Sequence, residues 1–142
     1  MHLDPLGTLE LEYTRSGSVS YESGGQVYGE LEGKIDGPSL QGSLRVTNLA
    51  IQRPDGDYTP TLRGILTTHD GGMMFVTLDG LSILEEGTDP PVRVGLVSMT
   101  FRTADPKLVA WNRVFAVAEY RGKSMGSSWG LVGTIYRCVP GA

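Results

Sequence analysis

The sequence predicts an all-β chain: a single antiparallel β-barrel domain over residues 1–142, with eight to nine strands and little helix. Three observations predict it. Of 142 residues, 20 are glycine and 8 proline; glycine is about twice its usual share of roughly 7%, with no collagen-like period. Apolar and polar residues alternate with period 2 in one segment after another, while the period of an amphipathic helix is almost absent. No strand–helix–strand crossover is visible, so neighbouring strands should run antiparallel. A barrel is preferred to a sandwich because Gly29, Gly33, Gly42, Gly64, Gly95 and Gly133 fall inside strand patterns. There they weaken a flat sheet but permit the bends that closure requires.

The elements follow in order. After a turn at Pro5-Leu6-Gly7, Leu9, Leu11 and Tyr13 alternate with Glu10, Glu12 and Thr14, and Ser16-Gly17-Ser18 should end that strand. Val27 to Glu32 is a second strand. Leu40 to Val46 is a third, after the turn Asp36-Gly37-Pro38. Arg53-Pro54-Asp55-Gly56-Asp57 is a strong turn signal. The clearest hairpin has Thr59 to Thr68 as one arm, His69-Asp70-Gly71-Gly72 as connection and Met73 to Leu78 as return, closed by Asp79-Gly80. Glu85 to Pro91 reads as a loop and Val92 to Arg102 as a long strand. Asp105 to Asn112 holds Pro106 and room for one helical turn. Val114 to Tyr120 and Trp129 to Cys138 are the last strands, with Arg121 to Ser128 as a loop between them.

Composition excludes several classes of function. Twelve Lys+Arg against sixteen Asp+Glu leave a net charge of −4, and no polybasic run is present, so no nucleic-acid partner is expected. One cysteine, Cys138, forms no internal disulfide, zinc cluster or redox pair, and two histidines, His2 and His69, are too few for a His-based metal centre. No metal and no cofactor are expected, since P-loop, dinucleotide, HExxH and GxSxG patterns are all missing. The N-terminus lacks the charged and apolar regions of a signal peptide, and the longest near-apolar stretch, Val92 to Phe101, contains Arg93. A cytoplasmic protein with no membrane partner is therefore expected.

Four segments, in order, resemble one family. Glu32-Gly33-Lys34-Ile35-Asp36-Gly37-Pro38-Ser39-Leu40-Gln41-Gly42 resembles a GG-x-x-x-GP-x-L-x-G signature. Thr67-Thr68-His69-Asp70-Gly71-Gly72 resembles a T-x-DG-A hairpin tip, and Phe101-Arg102-Thr103-Ala104-Asp105-Pro106 an FRT-x-P step. Ala110-Trp111-Asn112-Arg113-Val114-Phe115 resembles a W-L-N-x-x-x-F segment. Together they resemble the bacterial domain of unknown function 3237 family, over about Gly24 to Arg137. The resemblance implies an antiparallel barrel, lipocalin-like or allene oxide cyclase-like, and no assigned activity. Where that family has a Gly-rich segment ending in Asp-Trp, this chain has Thr47-Asn48-Leu49-Ala50-Ile51.

Residues two apart on a strand share a face, and only one face of each strand can line a barrel interior. Alternation alone leaves open which face that is. Four residues are candidates for catalysis. The Arg102 guanidinium can hold a carboxylate or enolate oxygen, or simply pair with an acid at the barrel end. Asn112 can donate an amide to an oxyanion or bond its own backbone at a turn. Glu119 shares a face with Val117 and Phe115, where an apolar setting would suit a general acid or base and solvent would not. His69 suits proton transfer near neutral pH, although turn chemistry fully explains Asp70 beside it.

Candidates for ligand binding are Arg63, Trp111, Tyr58, Phe101 and Met99. The aromatic set Tyr13, Tyr28, Tyr58, Tyr120, Tyr136, Phe75, Phe101, Phe115, Trp111 and Trp129 can line a pocket for a planar ligand or fill a core. The expected function is a small-molecule-binding barrel, a cofactor-independent isomerase, cyclase or lyase/hydratase acting by proton transfer on an apolar or aromatic metabolite. The alternative is a non-catalytic ligand-binding barrel, or an oligomeric structural one with a homo-oligomeric interface on its outer face.

Overall fold

The computed structural model describes residues 1–141; Ala142, the last residue of the expected domain, lies outside the described residues. Among the described residues, ten strands form one antiparallel sheet. They are β1 (His2–Tyr21), β2 (Gly24–Asp36), β3 (Gly42–Asn48), β4 (Ile51–Gln52), β5 (Tyr58–Thr59), β6 (Thr61–Thr68), β7 (Met73–Glu85), β8 (Val92–Arg102), β9 (Phe115–Ser124) and β10 (Trp129–Val139). Eight of them close on themselves in the order β1, β2, β3, β6, β7, β8, β9, β10, with β10 pairing back to β1. The two-residue strands β4 and β5 are extra. They bridge Gly25 and Gln26 of β2 to Ser82 of β7 across one end of the barrel. A short 3₁₀ helix, Val109–Arg113, is the one helical element among the described residues.

The expected all-β barrel is therefore what the chain forms, but three expected turns are not turns. At Pro5-Leu6-Gly7, β1 continues through a bulge in its pairing with β10. Pairing with β2 begins only at Thr8, so Pro5 sits on a strand with one free side, where its missing N–H does no harm. At Ser16-Gly17-Ser18, β1 runs on to Tyr21 as half of a two-stranded ribbon with β2. β10 leaves the ladder at Glu12, so this ribbon stands beyond the barrel, and small polar residues there reflect water on both faces. At Asp79-Gly80, β7 passes straight on to Glu85. Asp79 points outward, and Gly80 sits where a Cβ would overlap the Leu96 carbonyl on the coiled neighbouring strand. The hairpin tip at His69–Gly72, the turn at Arg53–Asp57 and the loop before Val92 are as expected, with Pro60 dividing the first arm into β5 and β6.

The interior changes character along the barrel axis. At one end the inward side chains are Leu9, Ile35, Leu44, Leu66, Met74, Phe101 and Ile135, each 2% exposed or less. The next level holds Leu11, Leu31, Val46, Leu62, Leu78 and Val97. That end is stoppered by the 3₁₀ helix, whose Trp111 ring lies 5.2 Å from Phe101 at 57°. Asp105 sets up the stopper by accepting the Lys107 N–H at 3.0 Å just before the helix. Towards the other end the same inward columns read Tyr13, Gly29, Asn48, Ser82, Gly95 and Tyr120. Aliphatic packing stops there, and the barrel opens. Among the described residues no helix is long and apolar enough to cross a membrane.

Candidate functional site

The structure separates most of the sequence candidates from one another. Met99 and Phe101 point inward but are 0% and 1% exposed, part of the solid core, with Trp111 capping them. Asn112 clamps Thr103, accepting its N–H and donating to its carbonyl, both at 2.8 Å. His69 is exposed at the β6–β7 hairpin tip, and Arg102 is exposed on the outer face opposite Phe75. Glu119 also faces outward, 3.8 Å from Arg121. Arg63 holds Asp79 through two hydrogen bonds of 2.8 and 3.1 Å on the barrel exterior. Tyr58 alone of the nine lines the cavity at the barrel's open end.

That cavity, about 910 Å³, occupies the open end. Its volume matches those of sites for drug-sized organic ligands, roughly 300–1,000 Å³. Tyr120 belongs to the core and Tyr13 packs against it, so the two phenols stand where core gives way to cavity. Glycine seats both rings. A Cβ at Gly95 would overlap the Tyr120 ring, and one at Gly29 would overlap that of Tyr13. Each aromatic therefore lies across a neighbouring strand in place of a side chain that the strand lacks.

Asn48 fixes the polarity of the site. Its Oδ1 accepts the Thr61 backbone N–H at 3.2 Å, a group that can only donate. The amide nitrogen must then be the atom facing Tyr13, and it donates to the phenol oxygen at 3.2 Å. Because Asn48 donates to that oxygen, the Tyr13 proton is not spent on Asn48 and stays free for another acceptor, with Tyr13 itself part of the cavity lining. Burial pushes the Tyr13 phenol above its ordinary value, partly offset by the bond from Asn48. Tyr120 is raised more strongly, by burial first and by the nearby Tyr13 second, with Arg93 opposing. Both phenols thus remain protonated donors at neutral pH.

The rim adds charge and ring surface. Arg93 donates to the Ser82 carbonyl at 3.2 Å and lies 4.8 Å from the centre of the Tyr58 ring. Trp129 and the turn at Ser127 and Ser128 complete the mouth, and the Ser128 hydroxyl ties that turn to the Glu12 carboxylate. Tyr13, Tyr58, Tyr120 and Trp129 all belong to the aromatic set read from sequence. Asn48, Ser82 and Arg93 do not stand out there. Their signal is a polar residue continuing an apolar column, as in Leu44, Val46, Asn48. Among the described residues, no group of three or more His, Cys, Asp or Glu is placed to hold a metal ion.

Fold and cavity define a class: a small closed antiparallel barrel with one stoppered and one open end. No family model matches the chain, and no curated protein does. Solved structures do. A β-barrel-like protein from Acinetobacter baumannii AYE aligns with a TM-score of 0.81 at 19% identity, over 96% of this chain and 94% of that one. A protein of unknown function from Clostridium acetobutylicum ATCC 824 aligns at 0.77 and 16%, over 97% of each chain. An enzyme from Penicillium herquei aligns at 0.55 and 18%, over 94% of this chain and 98% of that one. At these identities the likeness carries the fold alone.

Proposed function

We propose that this protein binds a ring-bearing, carbonyl-containing small molecule in the open-end cavity and activates it by proton donation. The observation that carries the reading is the Thr61–Asn48–Tyr13 chain, which aims a protonated phenol into an aromatic-walled space beside Tyr120. Two such donors stabilise negative charge growing on a ligand oxygen, which favours addition, elimination or double-bond migration next to the carbonyl. The isomerase, cyclase and lyase/hydratase classes share that need. The donor roles expected of Arg102 and Asn112 fall in this cavity to Tyr13 and Tyr120. The resemblance of its motifs to the domain of unknown function 3237 family implies the same architecture, and an enzyme among the barrels of like fold is consistent with it.

The test compares 2-acetylnaphthalene with 2-ethylnaphthalene by calorimetric titration. The ketone should bind several-fold more tightly, and Tyr13→Phe should remove most of that preference, as expected for about 1 kcal/mol per hydrogen bond. A barrel that takes neither compound, or a preference untouched by both Tyr13→Phe and Tyr120→Phe, would sink the reading.

A second reading, self-association, is favoured by the outer face of β6 and β7. Ile65 and Phe75 are directly opposed there and 47% and 46% exposed, with Met73 59% exposed nearby. Light scattering checks it: Phe75→Glu should lower the molar mass if this face joins copies.

A further inference from the structure

Among the described residues, the charged side chains lining the cavity are two arginines, Arg15 and Arg93, while the nearby carboxylates of Glu12, Glu30 and Asp57 stand behind the lining. The two arginines are not equivalent. The Arg15 side chain is 78% exposed and stands 3.5 Å from Glu30, so water and a counter-charge both screen it.

Arg93 is only 26% exposed. Of the five N–H donors on a guanidinium, one is used among the described residues, in the bond to the Ser82 carbonyl. The nearest carboxylate oxygen, on Asp57, is 3.8 Å from Nη1, beyond hydrogen-bond reach. Arg63 shows what a finished pair looks like in this protein, with both terminal nitrogens bonded to Asp79. A partly buried cation that rests on the Tyr58 ring, with a loose carboxylate partner and donors to spare, gains charge-assisted bonds from an incoming anion.

We propose that Arg93 anchors a carboxylate on the cavity's ligand, so that the protein selects ring-bearing carboxylic acids over their neutral counterparts. This inference rests on the binding reading above and narrows it. The carboxylate takes the open side of the guanidinium fork and displaces the loose contact with Asp57. The ring lies among Tyr58 and the other aromatics, and the distal oxygen meets Tyr13 and Tyr120 at the cavity floor.

Calorimetric titration of the full chain with 2-naphthoate and neutral 2-naphthamide, at low and moderate salt, tests it. Naphthoate should bind about tenfold more tightly or better, the effect of a charge-assisted bond. Arg93→Gln should reduce that ratio to about twofold, Asp57→Asn should increase it by freeing the guanidinium, and Arg15→Gln should leave it standing. Equal binding of the two probes by the unaltered protein overturns the anchor while the cavity reading survives. Binding of neither overturns both. A preference that persists in Arg93→Gln and disappears in Arg15→Gln overturns the assignment to Arg93. Should Arg93→Gln fail to fold, Asp57→Asn decides, since an unchanged or smaller ratio in that variant also overturns it.

Discussion

The two ends of the barrel are made from the same eight strands, yet they differ in almost every physical respect. At the stoppered end Phe101, Leu44 and Leu66 meet across the interior, and Trp111 seals them from water. At the open end the same strands present Gly95, Asn48 and Ser82, and two tyrosines stand in for missing aliphatics. Polar groups are tolerated there because each has a use, as Asn48 shows with one bond on each side of its amide. The contrast teaches a division of labour. One end supplies the burial that keeps the barrel closed, and the other is released from packing to hold a ligand.

That division can be broken by experiment. Phe101→Ala should cost about 3–5 kcal/mol in urea unfolding, because its ring is fully buried beneath Trp111. A smaller loss than for a large-to-small change at the rim, such as Tyr58→Ala, would refute the division. Gly95→Ala should cost about 1–3 kcal/mol through overpacking against the Tyr120 ring. The displaced ring should also weaken 2-acetylnaphthalene binding markedly, which Phe101→Ala should do only through global unfolding.

The smallest effect is alkaline. Burial raises the Tyr120 phenol in the folded chain above the ordinary 10.0, so the unfolded chain loses that proton first as pH rises. The contribution of Tyr120 to stability is therefore full below its ordinary range and is lost as pH climbs past 10.0. Tyr120→Phe should show a shallower decline between pH 9 and 11 when urea midpoints are compared. An unchanged slope would place Tyr120 in water rather than at the cavity floor.

The same contrast explains what was legible in the sequence. Strand alternation, the glycine load and the Asp-Gly hairpin tip at Asp70-Gly71 are local signals, and they led to the barrel. The four segments that resemble a family all fall at the stoppered end, in the β2–β3 and β6–β7 connections and around the 3₁₀ helix. Their Trp, Asn, Arg and His invite a catalytic reading because of their chemistry, but here Asn112 clamps a backbone and Trp111 is a lid on the core. The open end gives no such signal. Tyr13, Asn48, Ser82, Arg93 and Tyr120 lie on five different strands and meet only through closure of the sheet, which no local pattern encodes. Inward and outward faces also cannot be told apart when both carry apolar residues, as Phe115 and Val117 do beside Glu119.

Asn48 carries one further consequence. It joins the phenol of Tyr13 to the backbone amide of Thr61, the first residue of β6, through a single rigid carboxamide. Any change in how strongly Tyr13 donates alters the electron density at its oxygen, and so the pull of Asn48 on that amide. The Thr61 N–H is therefore a natural reporter, through which the state of the interior can be followed at a backbone position that is not itself part of the cavity lining.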